Sequence, residues 1–399
     1  MIVIILFLCL GTLSFFIPKS LEKKYFLASC FVASTMLACY TPPETDDLFR
    51  YYQLFDIAKN LTAKDFWSYN FHTSDWLLNY LLTDYLNNSK MFAAILFLLS
   101  RIGIKQLLPF VFSILTYIPV ILLLFQACED QNASKRDMCI CFFVALACID
   151  LRFITALRNM AAYAWFCYIL YLDLVKKRNT LLCFVGYLLL CELHMSCIAL
   201  LFIRAIVLIF NKHMRVLIVV ALVSLFSLSK QISYVLATFF NWIPYMERLS
   251  QRIIDYNIKR TSYNTHGAIF FIGSLLACLG IYVLQKRKGN HVSKTLLYDL
   301  CFEYVFAYTI GSVRQYDVLT RSCPLIAIMC FPYIISLLKK NNLSKAGIII
   351  YISNSGKASI SSELISLCLL VGLIVFSFIF YTLFSYTPMQ KGFDFFVFR

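Results

Sequence analysis

The chain is built from long apolar runs separated by short polar breaks, and the runs lack the strict alternation of a half-buried strand. Apolar runs at 1–17, 25–40, 107–125, 138–150, 156–175, 180–193, 195–211, 214–229, 266–285, 295–312, 322–338 and 362–385 each read as a helix crossing a bilayer. The segment 74–104 reads as two more, an amphipathic WLLNYLLTDYL and an apolar MFAAILFLLSRIGI. The pattern therefore predicts an all-α, polytopic membrane bundle of about fourteen transmembrane helices, with residues 1–399 as one transmembrane domain. Two polar intervals are long enough to build structure outside it. One is 41–73; the other is 230–265, an external loop subdomain expected to hold one or two amphipathic helices on the membrane surface. GIIIYIS at 347–353 is too short to cross and is expected along the interface. No period of 20 to 50 residues repeats.

Composition agrees with the pattern: 61% of the chain is hydrophobic and 14% charged, too little polar surface for a soluble protein of this length. The net charge of +15 is informative through its placement. Lys19, Lys23 and Lys24, then Lys135 and Arg136, Lys176 to Arg178, Lys212 and Arg215, Lys286 to Lys288, and Lys339 and Lys340 all fall in short loops. Starting with 19–24 in the cytoplasm, threading the spans brings all of these loops to the same side, as the positive-inside bias requires. Charge distributed in this way excludes nucleic acid as a partner, which would call for a basic stripe on one soluble face. The run 1–17 has no basic stretch before it and no small-residue cleavage site after it, so it is expected to be a retained first span. The 16 cysteines show no C-x-x-C or Cys/His ligand spacing and read as small buried hydrophobes; no metal and no cofactor is expected.

The same threading leaves arginines outside, against the bias, in four segments. In TPPETDDLFRYYQLFD (41–56), Asp47, Arg50 and Tyr51 share one turn if 45–58 is helical, with Thr45 as a cap; a solvated cap with an ordinary ion pair is the plain alternative. In LRFITALRNMAAYAW (151–165), Arg158 lies about a turn inside a span, where a cation is costly unless it works or is paired, and Arg152 precedes it. Snorkelling to the interface is the plain alternative for both. ELHMSCIALLF (192–202) places Glu192, His194 and Ser196 at an outer turn. GSVRQYDVLTRSCPLIAI (311–328) carries Arg314, Tyr316, Asp317 and Arg321, and Arg248, Arg252 and Arg260 add positive charge in the long loop. Guanidinium grips phosphate through paired donors and keeps its proton, so arginines gathered at an outer membrane surface point to a phosphorylated lipid whose departing pyrophosphate is stabilised without a metal. Tyrosines nearby suit stacking against sugar rings.

The order of these pieces resembles the EpsG-like group of Wzy-type bacterial polysaccharide (O-antigen or exopolysaccharide) polymerases. The resemblance rests on DLFRYY at 47–52, LRFITALRNMAAYAW at 151–165, HMSCIAL at 194–200 and VLTRSCPLIAI at 318–328. The chain departs from that pattern at Asn159, where the family usually has Gln, and in a second Asp in the acidic stretch. The resemblance implies a glycosyltransferase of the bacterial cytoplasmic membrane, joining undecaprenyl-pyrophosphate-linked oligosaccharide repeat units on the outer face by inverting transfer. Membrane lipid and a chain-length regulator are then the expected partners. Arg158 and Arg321, then Arg152 and Arg314, would hold the pyrophosphate. Asp47, with His194 second, would take the acceptor proton, and Glu192 would orient His194. Arg50, Tyr51, Tyr52, Glu192 and Tyr316 would contact sugar and acceptor. A flippase for lipid-linked oligosaccharide would also use arginines, but it calls for two pseudo-symmetric halves that are absent from the sequence. A membrane O-acetyltransferase would be expected to carry its histidine near the first spans rather than midway along the chain.

Overall fold

The structure is a computed structural model that describes residues 9–42, 44, 47–68, 81–83, 86–148, 156–210, 229–242, 250–251, 254, 325, 351–352 and 358–359. These residues are helical or lie in the turns between helices, apart from one small antiparallel pairing. In that pairing Tyr351 and Ile352 (β1, Tyr351–Ile352) lie opposite Ser359 and Ala358 (β2, Ala358–Ser359). Part of the segment expected along the interface is thus one edge of a two-residue ladder. The spans expected at 214–229, 266–285, 295–312, 322–338 and 362–385 lie almost wholly outside the described residues.

The described helices belong to two compact units, one made of residues up to Ile198 with Leu325, the other of the remainder from Ala199. In the first, residues 9–14 and a 3-10 turn at Lys19–Leu21 lead into α1 (Glu22–Ala38). Then come α2 (Asp47–Asn60), α3 (Ala63–Trp67), α4 (Lys90–Ile102), α5 (Leu107–Asp130), α6 (Lys135–Cys148), α7 (Leu157–Leu174) and α8 (Thr180–Leu193). α9 (Cys197–Ile209) starts at the border of the first unit and continues as part of the second, where α10 (Ser229–Asn241) follows. Local chemistry sets several ends. Ser134 and Asp137 form a capping box at the start of α6, the Ser134 amide donating to the Asp137 carboxylate at 2.8 Å. At the start of α3 the Thr62 hydroxyl accepts from the Asp65 amide at 3.1 Å and donates to the Asp65 carboxylate at 2.6 Å. The Asn179 side chain accepts from the amides of Leu181 and Leu182 to begin α8. α4 ends at Gly103, whose φ of +82° suits a residue without Cβ.

α5 is the hub of the first unit, packing against α7, α1, α6 and, more lightly, α4. The α1 face that meets it is a stripe of small residues and one ring: Phe26, Ser29, Cys30, Ala33, Ser34 and Leu37. Small side chains let helix axes approach where lipid gives no hydrophobic drive. Ser34 donates to Ser113 at 3.0 Å across this seam, and Phe26 stacks on Phe142 with centroids 4.1 Å apart. α7 packs on α8 through Phe166 and Tyr187, 4.6 Å apart, and through Gly186, where a Cβ would come within 2.9 Å of the Ile169 Cδ1. α2 lies along α4, and α4 also touches α8.

Among the described residues, α5 is the one helix long and apolar enough to cross a membrane, with 24 residues and a mean hydropathy of 2.5 over its best stretch. α8 and α9 are shorter apolar helices. α8 turns Leu181, Leu182, Val185, Leu188 and Leu189 outward, between 48% and 75% exposed, while Cys183, Tyr187 and Leu190 face the protein. An outward leucine face is unfavourable in water and expected in lipid. α10 likewise exposes Val235 and Phe239, a turn apart, and Trp242 just after its end is exposed too.

Candidate functional site

α2 opens directly at Asp47, an acidic residue in the first turn that the helix dipole favours. Asp47 and Arg50 form the i, i+3 pair expected, at 3.8 Å, with both side chains about half exposed (50% and 43%). An exposed pair of this kind contributes little to stability, so the helix must hold through its other face. That face is Leu48, Tyr51, Tyr52, Leu54, Phe55 and Ala58, all buried.

Tyr51 is the link to the rest of the site. Its hydroxyl accepts from the Nε of Arg158 at 3.2 Å, across 107 residues of sequence. A terminal nitrogen of the same guanidinium donates to the Ser89 hydroxyl at 3.1 Å, just before α4. The guanidinium carbon also stands 5.0 Å from the Phe92 ring centroid and 5.8 Å from that of Tyr51, and the two rings lie 5.2 Å apart. Arg158 is therefore held by three elements: α7, which carries it in its first turn, α2 and the start of α4. The rings offset part of the cost of bringing a cation inward. The amino end of α7 carries partial positive charge of its own, so this spot attracts anions on two counts.

His194 occupies a second cluster. α8 ends at Leu193 and His194 is extended, with φ −151° and ψ 120°. The ring Nδ1 accepts from the Ser196 amide at 3.2 Å and touches the Ser196 hydroxyl, which in turn hydrogen-bonds the Tyr163 hydroxyl of α7. The Tyr163 and His194 rings meet edge to face, 6.2 Å apart. An Nδ1 that accepts from a backbone amide puts the proton of a neutral imidazole on Nε2, which then donates. This tautomer suits a hydrogen-bond donor better than a base. Arg158 and Tyr163 are five residues apart, about 7.5 Å along α7 and turned well round its axis, so the two clusters sit on different faces of one helix end.

Glu192 is exposed in the last turn of α8 and, among the described residues, its side chain forms no hydrogen bond or ion pair. Ser196 is the residue that touches the His194 ring, the chain having left the helix after Leu193. Tyr52 is buried to 9%, and its hydroxyl has no hydrogen-bond partner among the described residues. Burial pushes its ionisation up to about 12, so the group stays neutral. Lys105 Nζ lies 5.4 Å from the Tyr52 ring centroid.

Arg152, Arg314, Tyr316 and Arg321 lie outside the described residues, as do Thr45, Arg248, Arg252 and Arg260. Sequence reasoning missed Ser89 and Tyr163, hydroxyls within apolar or amide-rich surroundings that carry no periodic signal. It also passed over Arg204, buried in α9 within the run CIALLFIRAIVLI, although a cation in such a run is itself a signal. Among the described residues no three His, Cys, Asp or Glu side chains converge in a way that would hold a metal ion. No family model, no curated protein and no solved structure matches the chain.

Proposed function

We propose that the chain is a polytopic glycosyltransferase of the bacterial cytoplasmic membrane, a Wzy-type polymerase similar to the EpsG-like group. In this reading it has about fourteen transmembrane helices, with 41–73 and 230–265 on the outer side. The outward leucines of α8 and the apolar stripe of α10 support a lipid environment more directly than the hydropathy of α5, which is largely enclosed by its neighbours.

The observation that carries the reading is the setting of Arg158. A cation at the amino end of α7, steadied by Tyr51, Ser89 and Phe92, is suited to grip a diphosphate whose charge grows as a sugar leaves it. Asp47 stands one turn before Tyr51 on the same helix and is half exposed, open to an acceptor hydroxyl. In the reaction, that hydroxyl oxygen attacks the anomeric carbon of the growing chain. Its proton passes to Asp47, and the bond from the anomeric carbon to the phosphate oxygen breaks. Undecaprenyl pyrophosphate leaves with the electron pair, held by Arg158 and, in this reading, by Arg321, Arg152 and Arg314. Inversion follows from a single displacement. His194, with Nε2 as donor, serves to orient a sugar rather than to take the proton.

A strain lacking the protein tests the class. Single repeat units on the surface lipid, in place of long ladders, support polymerisation. Normal ladders end the proposal, and repeat units trapped on the cytoplasmic face would indicate a flippase instead.

A further inference from the structure

Glycosyl transfer between two lipid-linked units brings two diphosphates to one active site, and among the described residues the Tyr51–Ser89–Phe92 setting holds one guanidinium, that of Arg158. We infer that a second diphosphate site, for the incoming acceptor unit, lies on the other flank of α2, at Lys59, Arg101 and Lys105. This rests on the proposed polymerase reading.

Consecutive tyrosines of α2 each lie against a cation from another element: Tyr51 against Arg158, and Tyr52 against Lys105, 5.4 Å from its ring centroid. Two turns further along α2, the Lys59 Nζ lies 3.5 Å from where a Cβ on Gly103 would stand. Arg101 completes the strip: its guanidinium donates to the Ala58 carbonyl and stacks 4.3 Å over Phe97. The strip gathers around the left-handed Gly103 that ends α4, four residues before α5 begins.

Three features point to an anionic ligand. All three cations are exposed, and among the described residues none forms an ion pair with a carboxylate. In the proposed threading they lie on the outer side, where basic residues are disfavoured unless used. Exposed Ile102 and Ile104 border them, as an isoprenyl chain attached to the phosphate would require. α2 then works as a partition. Its two adjacent rings separate the departing diphosphate from the arriving one, which limits repulsion between them while keeping the sugars within reach of Asp47 at the head of the helix.

The test is the stoichiometry of farnesyl diphosphate binding to the full chain in phosphatidylcholine nanodiscs, by titration calorimetry. Wild type is expected to bind two equivalents. A Lys59→Gln/Lys105→Gln double variant, whose side chains are exposed, should keep one and bind the other about tenfold or more weakly. Arg158→Gln should lose the opposite one. If the double variant still binds both with unchanged affinity, the inference is overturned. If wild type binds one equivalent that only Arg158→Gln removes, the inference fails while the polymerase reading stands. No binding by wild type would overturn both. Repeating the titration with a fifth or so of the lipid replaced by phosphatidylglycerol separates the sources. Loss of the second equivalent there would mark a general anionic-lipid contact and overturn the acceptor assignment; its persistence supports it.

Discussion

The two ends of α5 are built on opposite plans. At its end, Asp130 receives the Tyr171 hydroxyl and the Lys176 ammonium, so acid, cation and phenol close on one another. Nearby Gln126 donates to Tyr168 at 3.0 Å, and Tyr187 donates to Asp173 at 3.3 Å. At its start, Lys59, Arg101 and Lys105 form no ion pair with a carboxylate among the described residues, and Phe112 of α5 touches Phe92 beneath Arg158, 5.4 Å between centroids. An ion pair completed within the protein clamps helices together; cations left without one hold charge ready for something that arrives. The contrast fits a structural role at one end and, in the proposed reading, a binding role at the other.

Breaking the binding end should have the largest effect. Arg158→Ala is expected to abolish ladder formation, a loss of about a hundredfold or more, with normal insertion into the membrane. Arg158→Lys should rescue little, since one ammonium cannot reach both the Tyr51 and Ser89 hydroxyls. Next comes Asp47→Asn, which removes the base while keeping shape and should slow chain growth about a hundredfold. Its thermal stability should be unchanged, because the pair with Arg50 is exposed. An active Asp47→Asn would move the base elsewhere. At the clamped end, Asp130→Ala should cost about 1–3 kcal/mol of stability in a thermal melt in detergent, with ladder length per folded molecule preserved. Lost activity in a stable Asp130→Ala would erase the distinction between the ends. The smallest effect is expected for Tyr52→Phe: its hydroxyl is buried without a partner among the described residues, so removing it should leave the melting temperature level or slightly higher.

Much of the helical layout was legible because apolar runs report it directly. α8 is Thr180–Leu193, the run anticipated at 180–193, since Asn179 marks its start. α5 runs past the expected 125 to Asp130 because its last polar residues, Gln126 and Asp130, are satisfied by Tyr168 and Tyr171 of a neighbouring helix. Hydropathy cannot foresee such partners. α4 covers most of the run MFAAILFLLSRIGI and stops at Ile102, where the left-handed Gly103 ends it. Its first turn touches α5 at Phe112, and its end lies four residues from the start of α5.

For the site, Arg158 was legible because a cation one turn into an apolar helix is costly and therefore conspicuous. Its holders were not: Tyr51 is 107 residues away in sequence and Ser89 is 69, and hydroxyls are common enough to pass unnoticed. His194 stood out as the lone histidine of an apolar stretch. Glu192 and Ser196 each stand two residues from it, and the extended backbone at His194, just after α8 ends at Leu193, brings the Ser196 amide to the ring. The cations at Lys59, Arg101 and Lys105 could not be grouped from sequence, because only the pairing of α2 with α4 brings position 59 beside 101–105.

Gly186 gives the α7–α8 seam its narrow gauge, with Ile169 pressed where a side chain would begin. Eight residues on, that seam ends at the edge-to-face meeting of Tyr163 and His194. Gly186→Leu would act as a wedge driven mid-seam, swinging the far end of α8 like a lever and prising the imidazole from the phenol ring without altering either one.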